Sequence, residues 1–232
     1  MLNVAGLEAS YGSSQVLFGV SLTVSEGQAV ALLGRNGMGK TTTIKSIVGA
    51  LTPTRGSITF NGTSLAKLRD YEICRLGFGY VPEGRRIFQH LTVQEQLDAF
   101  VRKRDNARNW NTADVFELFP ALAARRRSAS GLLSGGEQQM LAIGRALVTS
   151  PRLIILDEAT EGLAPVIRDR IWSVLAELKR QKLSILIVDK NIDDIMALAD
   201  YAYILNKGTV AWSGTAEALL PDRETQQRLL AV

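Results

Sequence analysis

Cysteine and histidine are almost absent from this sequence. Cys74 is the only cysteine among 232 residues, so no disulfide can form within the chain, and a compartment that keeps thiols reduced is favoured. His90 is the only histidine, which excludes any metal site built from several histidines of this chain. The chemistry of the protein must therefore come from other side chains.

The chain also lacks a strong excess of one charge and any long apolar segment. Lysine and arginine number 27 and aspartate and glutamate 23, a net charge of +4 that gives no case for nucleic acid as a partner. Apolar runs such as Leu153–Leu156 are far too short to cross a bilayer, and the chain does not open with the basic and apolar segments of a signal peptide. We expect a cytoplasmic protein that reaches the inner face of the cell membrane only through partner subunits.

The remaining composition is typical of a globular protein, with 46% apolar and 22% charged residues. β-forming residues dominate the first third of the chain. A helical pattern follows Pro82, and Thr92 and Thr112 are predicted to cap helices within it. After Ser150, short apolar runs of the kind that fill a parallel sheet alternate with a predicted helix over residues 165–181. The pattern predicts an α/β fold.

A phosphate-binding loop is predicted at residues 34–41. They read G-R-N-G-M-G-K-T and match every fixed position of G-x-x-x-x-G-K-[ST], with an apolar strand before the loop and a helix after it. The glycines let successive N–H groups face the phosphates, and the helix N-terminus adds a partial positive charge. Lys40 is predicted to reach the β- and γ-phosphates of a nucleotide, and the Thr41 hydroxyl to ligate Mg²⁺.

Two carboxylates follow a short apolar strand farther along the chain. Asp157 and Glu158 come directly after the run L-I-I-L at residues 153–156. They therefore emerge at the carboxyl end of a buried strand, where ligands bind in open α/β sheets. Asp157 is predicted to hold Mg²⁺ through water, and Glu158 to polarise the attacking water as general base.

A third motif carries a family resemblance. Residues 133–139, L-S-G-G-E-Q-Q, resemble the signature L-S-G-G-x-Q of ATP-binding-cassette ATPases, and the resemblance covers essentially the whole chain. It implies that Ser134, Gly135 and Gly136 approach the γ-phosphate of an ATP held by the opposite subunit, at the N-terminus of a helix. Two cassettes would then sandwich two nucleotides.

Within that family the chain looks most like the ATP-binding subunits of branched-chain amino acid importers. Residues 81–88, V-P-E-G-R-R-I-F, and residues 161–165, E-G-L-A-P, are similar to runs of that group. Urea-type importers share part of the pattern, so the solute stays open between the two. The helical region after Glu83 is expected to receive a membrane subunit. The candidate contact residues are Arg85, Arg86, Ile87 and Phe88.

Four positions depart from the usual pattern of the family, among them Ala159, which stands where proline is common. Glu83 stands where most cassettes have glutamine, although it can still reach Mg²⁺ and the attacking water. Lys190 stands at the switch position where most have histidine, and Ala164 replaces an acidic residue in the loop after Glu158. Because a flexible lysine orients poorly, we expect slow hydrolysis by this subunit alone. We also expect it to pair with a different cassette subunit that retains the switch histidine.

The resemblance implies a P-loop NTPase of the ABC ATPase type, with a mixed parallel core sheet, an antiparallel β subdomain and an inserted helical subdomain. It implies one domain over residues 1–232, with core segments 1–82 and 151–232 and a helical subdomain over about 83–150. The implied cofactors are ATP and Mg²⁺. The implied partners are a second cassette subunit (in isolation, a second copy), two transmembrane permease subunits and, indirectly, an extracytoplasmic substrate-binding protein.

Other functions of the same family stay open as alternatives. An exporter subunit has a similar size. A soluble cassette ATPase acting on nucleic acid usually carries two cassettes or large coiled-coil insertions, which 232 residues do not hold.

The predicted site residues fall into three groups. Tyr11 lies where the family stacks an aromatic ring on adenine, and Val16 where an apolar residue packs beside the base. The catalytic group is Glu158, Glu83 and Lys190, and the metal ligands are Thr41, Glu83 and Asp157. The nucleotide-binding group is Tyr11, Val16, Gly34, Asn36, Gly37, Gly39, Lys40, Thr41, Thr42, Ser134, Gly135 and Gly136.

Overall fold

The computed structural model describes residues 1–105 and 108–230, so two residues in each of the predicted segments 83–150 and 151–232 lie outside it. The strands are β1 (Leu2–Tyr11), β2 (Ser14–Val24), β3 (Ala29–Leu33), β4 (Arg55–Phe60), β5 (Thr63–Ser64), β6 (Phe78–Val81), β7 (Leu153–Asp157), β8 (Ser184–Val188), β9 (Tyr201–Asn206) and β10 (Thr209–Thr215). The helices are α1 (Lys40–Ile47), α2 (Asp70–Arg75), α3 (Val93–Phe100), α4 (Thr112–Leu118), α5 (Pro120–Ala124), α6 (Gly135–Leu147), α7 (Pro165–Arg180), α8 (Ile192–Leu198), α9 (Ala216–Leu219) and α10 (Arg223–Leu230). A 3₁₀ turn covers Ser130–Leu132.

Two sheets organise the part of the chain that the structure describes. The larger has six strands in the order β10-β9-β3-β8-β7-β6, in which β10 pairs antiparallel with β9 and the other neighbours pair parallel. The smaller has four antiparallel strands in the order β2-β1-β4-β5. The predicted combination of a mixed parallel sheet with an antiparallel sheet is confirmed.

The central strands of the larger sheet are buried on both faces. Every residue of β3, β7 and β8 is buried, because each face of a parallel sheet is covered. Side chains alternate between the faces. Ala29, Ala31 and Leu33 join a core that includes residues of α3–α7, whereas Val30 and Leu32 join a second core with the antiparallel sheet and α1.

The helices between β6 and β7 begin at capping residues. The predicted cap Thr92 is confirmed, since its hydroxyl accepts the Glu95 N–H at 3.2 Å while the Glu95 carboxylate accepts the Thr92 N–H. The predicted cap Thr112 is wrong. The Asn111 side-chain oxygen accepts the N–H groups of residues 113 and 114, which makes Thr112 the first helical residue.

The strand order brings four loops to one edge of the larger sheet. Adjacent parallel strands β3, β8, β7 and β6 end there, and their loops carry the phosphate-loop residues, Lys190, Glu158 and Glu83, respectively. Polar groups far apart in sequence therefore meet at the carboxyl ends of the strands. Among the described residues, no helix is long and apolar enough to cross a membrane.

Candidate active site

The loop between β3 and α1 is shaped by glycines at both ends. Gly34 has a φ of 136°, and a Cβ there would lie 2.4 Å from the carbonyl oxygen of Leu205. Gly39 caps α1 with a φ of 104°, and a Cβ there would lie 2.7 Å from a methyl carbon of Leu17. Only glycine fits both the backbone conformation and the space at these positions.

Lys40 folds back over this loop. Its Nζ donates to the carbonyl oxygens of Gly34 at 2.7 Å and Arg35 at 3.0 Å. Burial lowers the pKa of the Lys40 ammonium, although the nearby charges of Glu158 and Asp157 raise it. The loop thus presents a mostly buried ammonium group. Such a group is well suited to bind a phosphate through charge-assisted hydrogen bonds.

Thr41 and Asp157 form the inner end of the site. The Thr41 hydroxyl donates to Asp157 Oδ1 at 3.3 Å. Asp157 is 1% exposed, and burial raises the pKa of its carboxyl group. Its second oxygen, Oδ2, is buried and has no hydrogen-bond partner. A buried carboxylate oxygen without a donor is costly, so this pair of oxygen ligands fits a hard cation such as Mg²⁺.

Glu158 is held in a strained turn directly after β7. Its φ is 53°, and its N–H donates to the carbonyl oxygen of Val188 at 2.8 Å. A hydrogen bond with Glu161, then burial and the negative charges of Glu161 and Glu83, raise the pKa of Glu158 to about 7, while Lys190 opposes the shift. A carboxyl group with a pKa near neutrality is suited to accept a proton from water.

Glu161 is the site residue that the sequence-based prediction missed. A carboxylate oxygen from each of Glu83, Glu158 and Glu161 lies within 4.8 Å of the others. Lys190 makes an ion pair with Glu161, and its Nζ lies 3.8 Å from Glu158 Oε2. Glu161 stands in the E-G-L-A-P run, but its distance from Glu158 in sequence does not reveal that its side chain turns into the site.

A buried aspartate fastens the two loops that carry these groups. Asp189 Oδ2 accepts the Thr160 N–H at 3.0 Å and the Thr160 hydroxyl at 2.7 Å. Asp189 Oδ1 accepts the Lys190 N–H at 2.7 Å. The loop after β7 and the loop after β8 are therefore held side by side, which fixes the backbone of Lys190 relative to that of Glu161.

Most of the predicted residues line one open cavity of about 500 Å³. The cavity has a size usual for small-molecule sites. It brings together the phosphate loop, both predicted catalytic glutamates and Lys190, with Glu161 added. Its lining residues are Val16, Asn36, Gly37, Gly39, Lys40, Thr41, Thr42, Glu83, Glu158, Glu161 and Lys190.

The signature residues lie outside that lining. Ser134 caps α6, with its hydroxyl accepting the Glu137 N–H at 3.3 Å. Gly135 packs against the Arg85 guanidinium and Gly136 against Ile167. None of the three lines the cavity beside the phosphate loop.

Three other predicted residues are also absent from the lining of the cavity, and one of them is the buried Asp157 beside Thr41. Gly34 shapes the base of the phosphate loop beside Leu205. Tyr11, at the end of β1, is 46% exposed and has the Lys45 ammonium 5.9 Å from the centre of its ring. The ring is accessible, and its contact with adenine stays a prediction.

The sequence matches a family model and is similar to known ATP-binding proteins over nearly its full length. The family model described as ABC transporter matches residues 17–161. The chain is 39% identical over 232 residues to the high-affinity branched-chain amino acid transport ATP-binding protein BraG of Pseudomonas aeruginosa, covering 99% of each chain. It is 33% identical over 231 residues to the lipopolysaccharide export system ATP-binding protein LptB of Haemophilus influenzae, covering 98% of this chain and 95% of the relative.

A solved structure supports the same assignment of fold. The structure described as the ATP binding subunit of an ABC transporter has a TM-score of 0.82 and 31% sequence identity to this chain. The match covers 98% of this chain and 94% of the other. The similarity therefore extends over both sheets and the helices between β6 and β7.

Proposed function

We propose that this chain, which belongs to the ABC transporter family and is an ATP-binding ATPase, energises the import of branched-chain amino acids. The observation that carries the proposal is the near full-length similarity to the Pseudomonas protein, at 39% identity. The motif runs at residues 81–88 and 161–165 support the same subgroup. ATP hydrolysis would drive the cycle of membrane subunits that bind the chain.

The phosphate loop would bind the triphosphate of ATP. Asn36, Gly37 and Gly39 line the cavity beside the N-terminus of α1, where backbone N–H groups would offer partial positive charge to the phosphates. Lys40 adds a full charge, and it would exchange its bonds to the loop carbonyls for bonds to phosphate oxygens. Val16 and Tyr11 would contact the base.

The residues at the inner end of the site fit Mg²⁺. Thr41 Oγ1 and the two oxygens of Asp157, one of them buried without a partner, would hold it, with Glu83 near the opening. The ion, when bound, supplies positive charge that stabilises the phosphates during transfer.

Glu158 would act as the general base. Its carboxylate lines the same cavity as Lys40, and it can accept a proton from a water that attacks the terminal phosphate. The Lys190 ammonium lies 3.8 Å from the Glu158 carboxylate. It would supply positive charge close to the negative charge that develops on the terminal phosphate in the transition state. The two residues would act as one unit at the opening of the cavity.

Completion of the site needs a second cassette. Cassette ATPases of this family work as dimers with membrane permease subunits. Ser134, Gly135 and Gly136 lie outside the cavity of their own chain, which supports a role toward ATP on the partner cassette. Two permease subunits would hold the pair at the cytoplasmic face of the membrane, supplied by an extracytoplasmic substrate-binding protein. The half-exposed Phe88 is a candidate contact for a permease.

The direction and solute of transport can be tested with the assembled complex. The tagged chain is purified from membranes with its partners, reconstituted in vesicles with the binding protein, and supplied with ATP. Uptake of labelled leucine, isoleucine or valine is expected, and it should be lost in the matched Glu158→Gln complex. If only urea is taken up, the proposed solute is wrong, but the assignment as an importer subunit still holds.

Export is the second candidate function, because the LptB relative is an ATPase of a lipopolysaccharide export system. The same purification separates the two candidates. Association with export components and absence of solute uptake would contradict the import proposal. Glu158→Gln would still suppress ATP hydrolysis in either system.

A further inference from the structure

Carboxyl groups cluster at the opening of the nucleotide cavity. Glu83, Glu158 and Glu161 place carboxylate oxygens within 4.8 Å of one another there. Lys40 and Lys190 are the lysines among the residues that line the cavity. Lys40 is engaged with the loop carbonyls, so the charge at the opening depends on Lys190.

We propose that Glu161 and Lys190 form a compensating charge pair in the nucleotide site. Lys190 neutralises a carboxylate that would otherwise repel the phosphates of ATP. This inference rests on the proposed function, since it assigns roles to two residues at the same site. It adds Glu161 to the site and gives Lys190 a partner within the chain.

The geometry supports a pair rather than two separate surface charges. Lys190 is directly ion-paired with Glu161. The loops that carry the two residues are fastened by Asp189 and Thr160, with bonds of 2.7 Å and 3.0 Å. Because the backbones are held side by side, the two charges stay together without an ordering cost for the loops.

The charges also explain why the effect of each residue depends on the other. A carboxylate that is neutralised by a neighbouring ammonium exerts little net field on a phosphate group, whereas an isolated carboxylate repels it. Removal of Lys190 therefore has two consequences, the loss of one attractive charge and the exposure of a repulsive one. Removal of Glu161 alone leaves the Lys190 ammonium beside Glu158, which lies 3.8 Å away.

A double-substitution cycle tests the pair directly. The affinity of the full-length subunit for MgATP is measured by calorimetry for the wild type, Lys190→Gln, Glu161→Gln and the double variant. We expect Lys190→Gln to weaken binding about tenfold, and Glu161→Gln to change it less than about twofold. The double variant should recover to within about threefold of the wild type, because no unpaired Glu161 charge remains. Thermal unfolding of each variant without nucleotide verifies that it is folded.

Two further variants separate the possible outcomes. Lys182→Gln removes a lysine just before the other end of β8 and should leave affinity unchanged, which controls for net charge. A double variant as weak as Lys190→Gln would overturn the pairing, as would a Lys190→Gln variant with wild-type affinity. Lys40→Ala reports on the proposed function itself. If Lys40→Ala binds MgATP normally, the phosphate-loop assignment fails, whatever the cycle shows.

Discussion

The pKa of Glu158 predicts that the rate of ATP hydrolysis depends on pH near neutrality. Its hydrogen bond with Glu161, its burial and the neighbouring carboxylates raise this pKa to about 7 in the nucleotide-free protein. A general base must be ionised, so activity should rise as pH increases through the pKa. A pKa of about 7 means that roughly 10% of Glu158 is ionised at pH 6 and roughly 90% at pH 8. We therefore expect kcat/KM to rise about tenfold between these two pH values.

The assay is a profile of kcat/KM from about pH 5.5 to pH 9 at saturating Mg²⁺. Protonation of MgATP itself affects the profile of every variant equally. Differences between the profiles therefore report on groups of the protein. Glu161→Gln removes the strongest influence that raises the pKa of Glu158, and its rise should therefore occur at lower pH. Glu158→Gln should show a low, flat profile. A wild-type profile that is flat down to pH 5.5, or a rise that Glu161→Gln does not move, would refute the role of Glu158 as the titrating base.

Three further substitutions test other parts of the site. Lys40→Ala should weaken MgATP binding by about 1.5–3 kcal/mol in calorimetry, because a charged hydrogen-bonding partner of the phosphates is lost; an unchanged affinity contradicts the assignment. Ser134→Arg should bind ATP normally as an isolated subunit but stop ATPase activity of the assembled transporter, since Ser134 lies outside its own cavity; loss of binding in the isolated subunit would contradict a role toward the partner. Gly34→Ala should lower the free energy of chemical unfolding by about 1–3 kcal/mol, because its Cβ would meet the Leu205 backbone. Gly37→Ala, with open space around its Cβ, is the matched control and should cost less.

The parts of the fold that local sequence determines could be predicted well. The buried strands β7 and β8 are visible as short apolar runs, because both faces of a parallel sheet select apolar side chains. The phosphate loop could be predicted equally well, because its backbone conformation requires glycine at positions 34 and 39. Capping was predictable only to within one residue, because Asn111 and Thr112 can both cap a helix and tertiary packing selects between them.

The arrangement of the site across strands could not be read from the chain alone. The order β3-β8-β7-β6 decides which loops are neighbours, and it depends on contacts between residues far apart in sequence. The acidic pair at the end of β7, Asp157 and Glu158, was predictable because it directly follows an apolar run. Glu161 was not, because a loop side chain has no periodicity that reveals its direction.

Lys190 shows how a prediction from one position changes when its neighbours are known. A lysine considered alone orients poorly on its flexible stem, which is the basis for expecting slow hydrolysis by this subunit. The structure gives its ammonium two carboxylate partners and a backbone fastened by Asp189. These contacts limit the orientations of Lys190 more than its flexible stem alone would suggest. If the proposed pair governs hydrolysis, Lys190→His should raise the ATPase rate only when Glu161→Gln is introduced as well.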